Sequence, residues 1–398
     1  MGSSVSKSVS KSVSKSSILK RTARDRIDND IDRLIEFSHY IHSHPELDGK
    51  ERLASRELGN LLLERGFSVE FGAYGLETAI KGEVGEGVPN IAICAEYDAL
   101  PVVGHACGHN IISAATLGAA WALAGAVEEL GCKITILGTP SEEGGGGKVI
   151  MLERGAFQGM AAAMMIHPWP EDRLYPKCLA VDHFRVHYHG REAHASAAPH
   201  EGINAADALV VAQVAIGLLR QSFTGNEQIH GIVEKGGDAP NIIPSHTTAR
   251  YMVRASTIEE LRILREKVDR CFEAGAVATG SDLEIEMLSP TYSELRTDPI
   301  LIRLWESNAT ALGRDYSKDA NGEPPPVFST DMGNVSLAVP SIHPLVRIDS
   351  NGASNHQPAF ALACASETAS RAIYDSAVAM AWTVIDFVDQ IRNSNPAD

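Results

Sequence analysis

Apolar positions along this chain change period several times, and each change predicts an element. Ile27, Ile31, Leu34, Ile35 and Ile41 lie near the spacing of a helix face, so an amphipathic helix is expected from Asp25 to His42, ended by Pro45. A second helix is expected over Leu53–Arg65, stopped by Gly66. Near-continuous apolar runs at Asn90–Ala95, Lys133–Leu137 and Ala161–Ile166 predict strands covered on both faces, with a long apolar helix at Asn110–Leu130 between the first two. Strand–helix–strand alternation predicts an α/β layer of mainly parallel strands, in which ligands bind beyond the strands' carboxyl ends.

From Val181 the period shortens to two. Phe184, Val186 and Tyr188 alternate with Arg185, His187 and His189, as in a half-buried strand whose histidines face solvent. A helix at Ile203–Gln221, strands near Ile229–Glu234 and Thr247–Arg254, a helix at Ile258–Ala278 and a strand at Leu283–Leu288 follow. That β-α-β-β-α-β order predicts a ferredoxin-like α+β unit inserted into the first domain. The remainder returns to a helix (Asp298–Leu312), a loop (Asn321–Asn334), a strand and a long closing helix at Ala365–Arg392.

A length of 398 residues predicts two domains. Net charge is −16, and the first 24 residues carry basic but no acidic side chains, so the rest is more acidic still. Such a surface repels phosphate backbones and argues against nucleic-acid partners. No apolar run reaches the roughly 18–20 residues of a membrane span. The six cysteines lack framework spacing, and no secretory h-region precedes the fold, so reduced thiols and a cytoplasmic location are expected. Ser3–Ser16 repeats every four residues and is too polar to offset its ordering entropy, which predicts a disordered tail. Met1-Gly2 followed by Ser6 fits an N-myristoylation pattern, with the tail lysines as a second anchor. A solvated tail is the plainer alternative; membrane association is expected only if Gly2 is acylated.

The candidate chemistry lies at the strand ends. Cys107 and His109 flank Gly108, and thiolate and imidazole are both ligands of zinc-type ions. A buried cysteine beside a helix-capping histidine is the alternative. In Glu142-Glu143 adjacent side chains diverge, so one can ligate metal while the other faces an attacking water as general base; acids complementing a helix N-terminus are the alternative. A phosphate-binding loop is excluded, because Val149 follows Lys148. His167 follows the third apolar run, where a lone histidine is more often a satisfied structural residue than a ligand.

With these residues the chain resembles the M20 metallopeptidase family, in its amidohydrolase branch. The matching segments are His42-Ser-His-Pro-Glu-Leu47, Asp98-Ala-Leu-Pro101, His105-Ala-Cys-Gly-His-Asn110 and Pro140-Ser-Glu-Glu-Gly144. They continue with Gly190-Arg-Glu-Ala-His-Ala195, His200-Glu-Gly-Ile-Asn-Ala-Ala206, Gly236-Gly-Asp-Ala-Pro-Asn-Ile-Ile-Pro244 and Ser329-Thr-Asp-Met-Gly333. The resemblance implies two divalent ions, zinc or manganese with cobalt or nickel also admitted, held by Cys107, His109, Glu143, His167 and His356. It implies Glu142 as general base, and His194 reaching across a homodimer to polarise the scissile carbonyl. Asp98 would orient a ligand histidine, and Asn241 and Arg254 would hold the substrate's polar groups. Glu96-Tyr-Asp98 and the Ser-Thr-Asp-Met-Gly segment look most like the aminobenzoyl-glutamate hydrolase and M20-domain dipeptidase subgroup. The expected organisation is a tail (1–24), a metal-binding catalytic domain (25–181 and 292–398) and a lid or dimerisation domain (182–291). The expected reaction is hydrolysis of an amide bond in a small N-acyl amino acid or dipeptide-like substrate. An acyl-transfer or biosynthetic enzyme using the same centre, or a non-catalytic dimeric scaffold, remains an alternative.

Overall fold

The computed structural model describes residues 14–394. The Ser/Lys repeat up to residue 13 and the Gly2 acylation pattern lie outside the described residues. The first helix spans Lys15–Ser43, so it starts at Lys15 rather than Asp25, and Lys15–Arg24, expected in the tail, is helical. The reason is tertiary. Leu19 and Ala23 are buried, Lys20 Nζ donates to Asn308 Oδ1 at 2.8 Å and pairs with Asp386, and Trp382 Nε1 donates to the Lys20 carbonyl at 2.7 Å. These partners come from the far end of the sequence, so local periodicity did not reveal them.

The larger sheet has six strands in the spatial order Ser68–Phe71, Ile80–Val84, Lys133–Thr139, Asn90–Glu96, Ala162–Met164 and Ser341–Ile342. Asn90–Glu96 runs parallel to both neighbours, and Ser341–Ile342 is parallel to Ala162–Met164. Ser68–Phe71 and Ile80–Val84 are antiparallel, so the sheet is mixed. The sequence pattern did not show these two strands. Ser68–Phe71 is an edge strand with no fully buried position, and it lacks the apolar run of an inner strand. The helix His109–Ala124 is buried from His109 to Leu123, between the sheet and the helices Lys15–Ser43 and Glu367–Ser394. It ends at Gly125, and Val127–Leu130 is a separate short helix, where one long helix was expected. The third strand is shorter than its apolar run and stops at Met164. His167–Trp169 pairs instead with Leu345–Arg347 in a two-stranded parallel ribbon.

The second sheet is antiparallel, in the order Asp282–Met287, Ala180–His189, His246–Ala255, Gln228–Lys235. Helices Ala205–Leu219 and Ile258–Thr279 cover one face, giving the ferredoxin-like order. Phe184, Val186, Tyr188, Val253 and Phe272 form a core separate from that of the larger sheet. The opposite face carries Arg185, His187, Arg250 and Arg254, as period-two alternation requires. Among the described residues no helix is long and apolar enough to cross a membrane.

Candidate metal centre

Three strand ends and one distant loop deliver the candidate donors to a single cleft. Beyond Asn90–Glu96 the chain passes Asp98 and reaches Cys107 and His109. Gly108 between them has φ 77°, and a Cβ there would lie 2.9 Å from Pro168 Cγ and 3.2 Å from Cys364 Sγ. Glycine therefore lets thiol and imidazole converge against packed neighbours. The strand Lys133–Thr139 leads through Ser141, at φ 58°, to Glu142 and Glu143. His356 has φ 70°, and its N–H is held by the Ala106 carbonyl at 2.9 Å. Each such non-glycine residue costs about 1–3 kcal/mol, which the surrounding structure must sustain.

One donor atom from each of Cys107, His109 and His167 lies within 4.8 Å of the other two. The same holds for Cys107, Glu143 and His356, and for His109, Glu142 and Glu143. Cys107 is common to the first two groups. His109 Nδ1 lies 2.9 Å from Asp98 Oδ1, leaving Nε2 at 3.3 Å from Glu96 Oε2 and 3.9 Å from Glu143 Oε1. Asp98 Oδ2 accepts the Glu143 N–H at 2.9 Å, so one buried carboxylate orients two of the donors. His167 Nδ1 faces the Pro168 carbonyl at 2.8 Å, and His356 Nε2 lies 3.8 Å from Glu143 Oε2. His109 Nε2 and Glu143 Oε1 are buried without a hydrogen-bond partner. Buried polar atoms rarely stay unsatisfied. The set of thiol, imidazoles and carboxylate is one that divalent ions of zinc type ligate, so the residues fit such ions.

Burial and crowded carboxylates set the protonation of the centre. Burial pushes the Cys107 thiol up, and Glu143 and Glu142 add to it. Burial also raises the Glu142 carboxyl well above its usual range, helped by Glu96 and Glu143. The His167 imidazole falls to about 4, through burial and the neighbouring His109, and is therefore a neutral donor. Burial alone would depress His109, but Asp98 and Glu96 outweigh it and hold the imidazole well above its ordinary value. Carboxylates crowd the centre, and a bound cation would relieve them.

Sequence reasoning missed the layer beneath. Lys148 is fully buried, pairs with Glu96, and donates from Nζ to Asp331 Oδ1 at 2.6 Å and from its N–H to Asp331 Oδ2 at 2.8 Å. A lysine entering an apolar helix was the available signal, since a buried ammonium must find carboxylates.

The cleft encloses about 470 Å³ and is lined by Cys107, Glu142, Glu143, His167 and His356 together with Trp169, Phe328, Gln228 and Arg254. Trp169 and Phe328 stack at 5.4 Å between centroids, and neither stood out in the sequence. Arg254, reaching in from the second sheet, donates from Nη1 to Ser329 Oγ at 2.6 Å. His194 and Asn241 do not line this cleft. Both are exposed, and they sit on adjoining segments joined by the Ala195 N–H to Asn241 carbonyl bond at 3.0 Å.

Residues 181–279 match the family model described as a peptidase dimerisation domain. Over 393 residues the chain is 38% identical to Xaa-Arg dipeptidase of Mus musculus, covering 93% of this chain and 89% of the relative. It is 31% identical over 249 residues to N-acetyl-L-cysteine deacetylase of Bacillus subtilis (strain 168), with 56% of this chain and 59% of the relative covered. The fold is similar to that of the Bacillus subtilis YXEP protein, a dinuclear metal binding peptidase from the M20 family. That match has a TM-score of 0.67 and 21% identity, and covers 90% of this chain and 99% of the other.

Proposed function

The chain belongs to the M20 metallopeptidase family, and from that premise we propose that it hydrolyses the amide bond of a small dipeptide or N-acyl amino acid. The observation that carries the reading is the convergence of Cys107, Glu143, His167 and His356 in the cleft wall with the buried His109 behind them, and Glu142 beside them. Two divalent ions would be held there, with the Cys107 thiolate common to both groups of donors. When bound they supply Lewis-acid activation of water and of the scissile carbonyl.

The chain's own groups do the rest. Glu142, a carboxyl already raised by burial, accepts the proton of the attacking water and passes it to the leaving amine. Arg254 is the basic side chain in the cleft wall, placed to receive a substrate carboxylate. The stacked Trp169 and Phe328 offer an apolar wall to the substrate's side chain. His194 and Asn241, remote from their own cleft, would act in that of a second copy, His194 polarising the scissile carbonyl. Helix Ala205–Leu219 exposes Val210, Val214 and Leu218 on one stripe, and the edge strand Gln228–Lys235 exposes Ile232 and Val233; these surfaces suit such a homodimer.

A dipeptide with a basic carboxyl-terminal residue is the substrate class suggested by the mouse relative's name. Thiolate with imidazole favours zinc over manganese, cobalt or nickel. The test combines elemental analysis with a hydrolysis panel of Xaa-Arg, Xaa-Lys and neutral dipeptides and N-acyl amino acids. Cleavage of basic dipeptides by a two-metal protein is expected; a metal-replete protein that hydrolyses no member of the panel would overturn the reading.

A further inference from the structure

Away from the cleft, three histidines meet on the uncovered face of the antiparallel sheet. His187 and His189 are two residues apart on one strand, so their side chains share a face. His246, on the neighbouring strand, stands directly opposite His189 in the antiparallel register. Ring centroids are 4.7 Å apart for His189 and His246, 5.5 Å for His187 and His246, and 6.1 Å for His187 and His189. One ring nitrogen from each lies within 4.8 Å of the other two, and His187 Nδ1 is 3.2 Å from His246 Nε2.

Two of the three outer nitrogens are also provided for. His187 Nε2 lies 3.4 Å from Glu286 Oε2, and His189 Nε2 lies 3.4 Å from Glu284 Oε2, both carboxylates belonging to the strand on the other side. A carboxylate on the far nitrogen holds the proton there and turns the other lone pair inward, as ligand imidazoles require. Glu286 is shared with Arg185, whose Nη1 donates to it at 2.7 Å, and Lys235 near His246 is occupied by Asp238 at 2.9 Å. Burial and the two neighbouring imidazoles hold His246 below its ordinary value. A solvated stack of three imidazoles gains little from this closeness, whereas a cation gains three nitrogen donors at one point.

We propose that His187, His189 and His246 form a surface site for a divalent transition ion of the zinc class, separate from the centre in the cleft. The rings are nearly parallel, with interplanar angles of 4° to 7°, so binding requires them to turn about the soft ring torsion. The exposure of His189, 45% for its side chain, leaves room for that turn and for a water in the fourth position. An ion there ties together the strand ends from which the segments bearing His194 and Asn241 depart, which the Gly190 N–H to Ser245 carbonyl bond at 2.7 Å already joins.

The test compares the wild-type chain with the His189→Ala/His246→Ala variant and with His246→Gln, each stripped of metal and dialysed against zinc. Free zinc is buffered low enough that weak imidazole sites stay empty. The centre in the cleft is the same in all three proteins and cancels in the comparison, so the outcome does not depend on the hydrolase reading. Wild type should hold about one zinc more than either variant, and should gain more in Tm on zinc addition. Equal zinc content in wild type and His246→Gln would overturn the proposal. A repeat with cobalt reads the same difference as visible bands of a nitrogen-bound ion; identical spectra would count against the site equally.

Discussion

Asp98 accepts from His109 through one oxygen and from the Glu143 N–H through the other, so it fixes two candidate metal donors without facing the cleft. Replacing it with Asn keeps the shape but offers an amide N–H to one of these partners. Asp98→Asn should lower metal affinity about 10–100-fold, read by titration of the stripped protein with zinc. Glu142→Gln should keep the metal content and lower turnover by about 10²–10⁴-fold; near wild-type activity in that variant would remove Glu142 from the role of base. Both residues were legible in the sequence, singled out by the short segments that carry the family resemblance, Asp98-Ala-Leu-Pro101 and Pro140-Ser-Glu-Glu-Gly144. Glu96, Lys148 and Asp331 were not. Their pairing joins positions 52 and 183 residues apart, and nothing local to Lys148 shows that its ammonium is buried.

Among elements, the alternation around Phe184–His189 marks a strand in the sequence because Ala180–His189 has one buried and one open face. The edge strand Ser68–Phe71 was not legible because an exposed edge strand carries no apolar run. The elements of the second sheet also carry the sharpest test of the proposed dimer. Glu142→Gln and His194→Ala homodimers should each be nearly inactive, while mixing and reassembly should restore activity, because hybrids hold one cleft with both residues intact. No recovery on mixing, with exchange of chains demonstrated by mass labelling, would confine His194 to its own chain. Leu218→Glu, placed on the exposed stripe of Ala205–Leu219, should shift the protein toward monomer in light scattering, since a charge there opposes burial.

At the scale of the whole molecule, the cleft is lined by Arg254 from the antiparallel sheet and by candidate donors from segments that follow strands of the larger sheet, from the ribbon and from a distant loop. Metal retention should depend on pH through those donors. Burial and the neighbouring carboxylates favour the protonated Cys107 thiol, and a proton must leave it for an ion to bind. Lowering the pH opposes that release, so metal should be lost as the pH falls; metal content after dialysis across a pH series measures it, and a flat profile would count against thiolate ligation. By itself the sequence determined the α/β class and the ferredoxin-like order of the second sheet's elements, because periodicity is a local property of the chain. Tertiary structure alone decided that His356 meets Cys107, that Lys148 is neutralised beneath the centre, and that His246 completes a group with His187 and His189. Such contacts arise only when packing brings distant segments together, and no local pattern records them.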